Sequence, residues 1–132
     1  MDKVLIVDND LESLNILTEG LQKYESQFKV VTALNGEEAV EVLKREPICV
    51  LVTDLAGPRA GGLELLAHMA KNHPQIPCIV MTEPKGTEIE KKAGWGNILL
   101  YLEKPPDFNE LAGAIIEGLD LLDEGIFWQE HR

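Results

Sequence analysis

The stretch KVLIVDND, Lys3–Asp10, runs four consecutive aliphatic residues straight into a polar cluster. A strand with one wet face alternates apolar and polar side chains. Val4–Val7 does not alternate, which suits a strand covered on both faces. Similar runs recur at Phe28–Ala33, Ile48–Thr53, Pro77–Met81 and Ile98–Leu102. Five such runs, evenly spread along the chain, predict five strands.

The segments between them carry helical spacing. Leu11, Leu14, Leu17, Leu21 and Tyr24 fall on one stripe behind Asp10, whose carboxylate is placed to cap the first helix. Asn35 and Glu38 read as a capping-box-like start for the second, with Ala39, Val40 and Leu43 facing inward. A third helix is expected from about Leu63 to Asn72, stopping before Pro74, and a short fourth from Thr87 to Lys92, ended by Gly94-Trp95-Gly96. The last begins at the Asp107 cap, has Glu110 three residues on, and carries Leu111, Ile115, Leu119, Leu122 and Ile126. Strands alternating with helices imply right-handed β-α-β crossovers and a parallel sheet with helices on both faces, a three-layer α/β domain. Ligands of such sheets bind beyond the carboxyl ends of the strands. Here those ends carry Asp8, Asn9 and Asp10, then Asp54, then Thr82 and Glu83, then Glu103 and Lys104.

The chain's 132 residues fit one domain spanning 1–132, with its core at about 3–122 and a helix extension or linker at 123–132. A net charge of −11 argues against direct nucleic-acid binding, which needs clustered Lys and Arg. The two cysteines, Cys49 and Cys78, lie in apolar runs and read as small core residues of a reducing compartment. No signal peptide or membrane-length apolar run is visible, so a cytoplasmic location is expected.

Singly, the strand-end residues have ordinary explanations: Asp8 and Asp10 as caps, Asp54 as a loop carboxylate, Thr82 as a turn hydroxyl, Lys104 as a solvated charge. Together they place carboxylates, a hydroxyl and an ammonium on one rim. Phosphoryl transfer to a carboxylate needs such a set, because a divalent cation and a lysine must offset the repulsion between donor phosphate and acceptor.

With these residues in their order, the chain resembles the receiver domains of bacterial response regulators from Lys3 to about Leu122. Lys3–Asp10 resembles the family's first strand and acidic pocket. Val50–Asp54, followed by Pro58, Gly62, Leu63, Glu64, Leu65 and Leu66, resembles the phosphoacceptor strand, its loop and the next helix. Ile79–Thr82 and Tyr101–Pro105 resemble the strands that bear the switch hydroxyl and the lysine. The resemblance implies a doubly wound (βα)5 sandwich with the flavodoxin-like strand order 2-1-3-4-5. It makes Asp54 the phosphoryl acceptor, with Thr82 and Lys104 completing the reactive set and the Lys104–Pro105 peptide cis. Mg2+ would be held by Asp8, Asn9, Asp54 and the Ala56 carbonyl, and Tyr101 would follow the movement of Thr82. It also implies a histidine kinase or phosphotransfer protein as donor, and an output domain or partner on the face of the fourth helix, fifth strand and fifth helix. On this reading the chain is a signalling domain rather than an enzyme, with at most slow self-dephosphorylation.

The sequence departs from the family at several points. Asn9 stands where a second acidic residue is usual, which should weaken Mg2+ binding. Glu83 follows Thr82 where a small residue is usual, Gly61 stands where an Asp often precedes the glycine, and Asn97-Ile98 replaces a pair of small residues. Two alternatives therefore stand beside the phosphorylatable receiver. One is a degenerate receiver that binds partners without phosphorylation. The other is a haloacid-dehalogenase-like phosphatase with Asp8 as nucleophile.

Overall fold

The computed structural model describes residues 1–54, 62–82 and 97–124. Its elements follow in the order β1 (Lys3–Val7), α1 (Leu11–Gly20), β2 (Lys29–Ala33), α2 (Gly36–Arg45), β3 (Ile48–Asp54), α3 (Gly62–Asn72), β4 (Cys78–Thr82), β5 (Ile98–Glu103) and α4 (Phe108–Glu124). The helix expected at 87–92 lies outside the described residues, so α4 is the helix expected to be the fifth. All four strand pairings are parallel and the sheet order is β2-β1-β3-β4-β5, the doubly wound order implied by the resemblance.

Each strand's side chains divide between two cores. Val4, Ile6, Val50, Val52, Ile79, Met81 and Leu102 pack with α1 and α4 on one face. Leu5, Val7, Leu51, Cys78 and Val80 pack with α2 and α3 on the other. This is the period of two on a sheet covered twice, and it explains why β1, β3 and β4 read as unbroken aliphatic runs. The helix starts are fixed by side-chain caps. Asp10 accepts from the Glu12 amide at 3.0 Å, Asn35 from Glu38 at 2.8 Å and Asp107 from Glu110 at 3.0 Å, each worth about 1 kcal/mol.

Several expectations need adjusting. The first helix ends at Gly20, and Gln22–Tyr24 tightens into a 3-10 turn, so Tyr24 lies beyond the α-helical stripe. Leu11 is 60 % exposed because it directly follows the cap, at the rim. In α2 the buried positions are Ala39, Val42 and Leu43, with Val40 only half-buried. Phe28 is a core side chain but precedes the paired residues of β2. Asp54 is the last residue of β3 rather than the first of a loop. Residues 125–132 lie outside the described part, and Ile126 with them.

Candidate functional site

Three charged side chains converge where the strand order reverses. Asp8 follows β1, Asp54 ends β3, and Lys104 follows β5. Since β1 and β3 are neighbours, with Val7 paired to Thr53, the two carboxylates sit side by side at the sheet's carboxyl edge. The Lys104 backbone amide donates to the Thr82 carbonyl at 2.8 Å, which extends the β4–β5 ladder to the lysine. Its side chain reaches back across β4, where Nζ donates to Asp8 Oδ2 at 2.9 Å and to Asp54 Oδ2 at 2.8 Å. The Lys104–Pro105 peptide is cis, as the resemblance implies.

The alternation of side chains explains this convergence. Asp8 continues the series Val4, Ile6; Asp54 continues Val50, Val52; Lys104 continues Leu102. All three therefore emerge on the α1/α4 side of the sheet. Thr82 continues Cys78 and Val80, the opposite series, shared by Tyr101. Its hydroxyl is buried and, among the described residues, has no hydrogen-bond partner, as is also true of Thr53.

Both carboxylates are nearly sealed from solvent, with side chains 0 % and 2 % exposed, while Lys104 keeps 17 %. Burial is the largest influence on Lys104 and pulls its pKa down. The hydrogen bonds it donates to Asp54 and Asp8, together with their charges, outweigh it and leave the ammonium above its ordinary value. Lys104 is thus a fixed positive charge shared by two carboxylates. Asp8 Oδ1 accepts the Asp10 amide at 3.0 Å, which orients Asp8 and opens the turn into α1.

A cleft of about 400 Å³ opens over this trio. Its polar floor is Asp8, Asp54 and Lys104, with exposed Asn9 at the edge, and its apolar wall includes Ile16, Pro106 and Phe108. The donors are all oxygens, which suits a hard cation, and Mg2+ needs only one or two carboxylates because it keeps several waters. Among the described residues no three His, Cys, Asp or Glu side chains cluster to hold an ion. Asp8 and Asp54 are the buried carboxylates on the cleft floor, Asp10 also lines the cleft, and Asn9 can add a neutral oxygen.

The family profile for the response regulator receiver domain matches residues 4–116. The chain belongs to the response regulator receiver domain family. It is 33 % identical over 116 residues to the transcriptional regulatory protein CpxR of Escherichia coli, covering 87 % of this chain and 48 % of that protein. It is 30 % identical over 115 residues to a protein-glutamate methylesterase/protein-glutamine glutaminase of Rhodospirillum centenum, covering 85 % of this chain and 29 % of that one. The chain thus spans between about a quarter and a half of the curated relatives it matches. Among solved structures, a two-component transcriptional regulator from Clostridium phytofermentans superposes with a TM-score of 0.83 at 27 % identity, covering 94 % of this chain and 97 % of that one. A receiver domain protein from Clostridium thermocellum shares the fold with a TM-score of 0.80 at 23 % identity, covering 91 % of this chain and 95 % of that one.

In this receiver domain the residues singled out from the sequence divide into three groups. Asp8, Asp54 and Lys104 are in direct contact, and Asn9 borders the same cleft. Thr82 adjoins Lys104 through the backbone, and half-buried Tyr101 pairs with Val80 on edge strand β5. Ala56, Gly61 and Glu83 lie outside the described residues. Sequence reasoning missed the cleft wall: Ile16 and Phe108 look like ordinary helix residues, and only their approach from two helices gives them a place at the site. No described helix is long and apolar enough to cross a membrane.

Proposed function

We propose that this chain is a phosphorylatable receiver in two-component signalling, with Asp54 as acceptor. A histidine kinase or phosphotransfer protein presents a phosphohistidine. An Asp54 carboxylate oxygen attacks the phosphorus, the phosphorus–nitrogen bond breaks, and the imidazole leaves, so that Asp54 carries an acyl phosphate. The observation that carries this reading is Lys104, whose ammonium stands within 2.9 Å of both strand-end carboxylates. A cation fixed in place before the reaction can offset charge brought by the phosphoryl group without rearrangement. Mg2+, when bound, would offset more of that charge; Asp8 and Asp54 would hold it, with Asn9 contributing a neutral oxygen. The Ala56 carbonyl is proposed as a further donor.

The readout proposed is Thr82. Its buried hydroxyl has no hydrogen-bond partner among the described residues, and a buried hydroxyl left so costs about 1–3 kcal/mol. Turning it toward a phosphoryl oxygen would recover that cost and free space on the face that carries Tyr101, so the signal would pass to the β5 edge. The output domain or partner is proposed to bind the face of β5, α4 and the helix expected at 87–92, which lies outside the described residues, in a cytoplasmic setting. The chain itself would catalyse no more than slow self-dephosphorylation.

Two observations favour a degenerate receiver instead. Asn9 supplies no charge, and Lys104 already engages both carboxylates. The test is incubation with acetyl phosphate and Mg2+ followed by intact-mass measurement. A gain of one phosphoryl group that disappears in Asp54→Asn supports the acceptor reading. No gain in the wild type favours the degenerate receiver, and a gain that persists in Asp54→Asn overturns the assignment.

A further inference from the structure

Tyr24 and Asn109 lie 85 positions apart in the chain, yet the Tyr24 hydroxyl donates to Asn109 Oδ1 at 2.6 Å. That distance is at the short end for a hydroxyl donating to oxygen. Tyr24 closes the 3-10 turn that follows α1, and Asn109 is the second residue of α4. The ring that carries the hydroxyl is itself held. It stacks on Phe28, with centroids 6.3 Å apart and planes inclined by 8°, and Phe28 is a buried core side chain. A ring already fixed by packing loses little further freedom when its hydroxyl takes a partner.

We propose, resting on Asp54 as acceptor, that Tyr24 is a positioning residue for the acceptor cleft: through Asn109 it holds Phe108 in the cleft wall and so limits the access of water to a phosphoryl group on Asp54. Phe108 directly precedes Asn109 and opens α4. Its ring lines the cleft together with Asp54 and lies against Gly20, the last residue of α1. That contact is steric, so it stops the ring from moving toward α1 but does nothing to keep it from moving away. The hydrogen bond from Tyr24 supplies the missing restraint, because it ties the first turn of α4 to the turn that follows α1. The Asp107 cap on the Glu110 amide is internal to the start of α4 and cannot fix where that start sits against α1.

The wall stands on the side where it matters. Asp54 emerges on the face of the sheet that α1 and α4 cover, and Phe108 packs against the core of that same face. When an acyl phosphate hydrolyses, water attacks the phosphorus, the bond from the Asp54 carboxylate oxygen to phosphorus breaks, and inorganic phosphate leaves with the carboxylate restored. An apolar wall over the cleft leaves fewer waters placed for that attack. Loosening the first turn of α4 opens the wall and shortens the life of the phosphoryl group.

The test measures how long the phosphoryl group lasts. The full chain is phosphorylated with acetyl phosphate and Mg2+, the donor is removed by rapid desalting, and intact mass follows the loss of the adduct. Tyr24→Phe keeps the ring and its stacking but removes the hydroxyl, and its adduct should decay about threefold faster, the scale set by one hydrogen bond. Asn109→Ala should do the same, whereas Asn109→Asp retains an acceptor and should decay as wild type does. In a Phe108→Ala background, which removes the wall itself, Tyr24→Phe should have no further effect. Without any donor, the nuclear Overhauser contacts between the Phe108 ring and the Gly20 α-protons should weaken in Tyr24→Phe. A hydrogen bond with a merely structural role would lower stability in urea and leave the decay unchanged. Wild-type decay in Tyr24→Phe, an undiminished Tyr24→Phe effect in the Phe108→Ala background, fast decay in Asn109→Asp, or unweakened Phe108–Gly20 contacts would each overturn the proposal and leave Asp54 standing as acceptor. If the wild type takes up no phosphoryl group, the acceptor reading fails and this one with it.

Discussion

Gly20, the last residue of α1, lies against the face of Phe108 at the start of α4, so closely that a Cβ built on Gly20 would stand 2.5 Å from both Phe108 Cδ1 and Cε1. Alanine would otherwise help a helix by about 1 kcal/mol over glycine. Here it meets an aromatic ring that lines the cleft over Asp54, and overpacking of this kind costs about 1–3 kcal/mol. We expect Gly20→Ala to destabilise the wild type by about 1 kcal/mol net in urea denaturation. In a Phe108→Ala background the same change should be neutral or stabilising. An equal cost in both backgrounds would show that the ring is not the obstacle.

Lys104 holds two buried carboxylates together, so its removal should cost more than the loss of a surface ion pair. Breaking a fully buried pair costs about 3–5 kcal/mol. Lys104 retains some solvent contact, so about 2 kcal/mol is expected for Lys104→Met at pH 7. Since its folded pKa is raised above 10.5, its contribution is complete below that value and is lost as pH rises through the folded pKa. The difference in stability between wild type and variant should therefore stay constant from pH 7 to 9 and close only above 10.5. In an Asp54→Asn background, where one carboxylate is gone, Lys104→Met should cost less. Additive losses would argue that Lys104 and Asp54 are not coupled.

Cys78 is fully buried, and burial pushes its thiol far above the ordinary value of 9.0. A raised folded pKa means a contribution that is complete below about pH 9 and declines above it, because only the unfolded chain can ionise there. At pH 10 the loss is about 1.4 kcal/mol. Cys78→Ala lacks that titration but gives up packing and the contact from Asn97 Nδ2 at 3.4 Å. It should thus be less stable than wild type at pH 7.5, with the gap narrowing by about 1.4 kcal/mol at pH 10. Parallel stability curves for the two proteins would contradict the burial argument.

The central strands were legible because both their faces are covered, so every residue from Val4 to Val7 or Val50 to Val52 had to be apolar. The edges were harder. β2 begins one residue late because Phe28 packs into the core before Lys29 takes up pairing, and hydrophobicity alone does not separate packing from pairing. Leu11 and Val42 were misjudged for a related reason: period 3.6 fixes a stripe but not where a helix dips below the rim. At the site, strand-end position narrowed 35 charged Lys, Arg, Asp and Glu side chains to Asp8, Asp10, Asp54, Glu83, Glu103 and Lys104, and the family resemblance singled out Asp8, Asp54 and Lys104 among them. That one ammonium bridges both carboxylates depends on the strand order, and that Thr82 emerges on the opposite face depends on where β4 ends. Neither is written locally in the sequence.

Asn9 is the departure from the family pattern whose cost can be measured most directly. Its side chain is exposed at the edge of the cleft, beside Asp8, whose carboxylate is buried and bound to Lys104. A cation entering there meets two carboxylates that already share one ammonium. Adding a carboxylate through Asn9→Asp would contribute about 1 kcal/mol per unit of cation charge at 4 Å even in water. For a divalent ion that is about 2 kcal/mol, or roughly tenfold to thirtyfold in affinity. The same substitution makes residues 8–10 three consecutive carboxylates, so the metal-free protein should lose a few tenths of a kcal/mol, more at low salt.

The measurement is a Mg2+ titration followed by thermal unfolding, because a ligand that binds only the folded state raises the melting temperature further the more tightly it binds. Without Mg2+ the Asn9→Asp protein should melt slightly below wild type. With millimolar Mg2+ the order should reverse, and phosphorylation by acetyl phosphate should saturate at lower Mg2+. If both proteins respond to Mg2+ at the same concentrations, another side chain already supplies the missing charge. Asp10→Asn and Glu83→Gln would then identify it, and the reading of Asn9 as the weak point of the metal site would have to be abandoned.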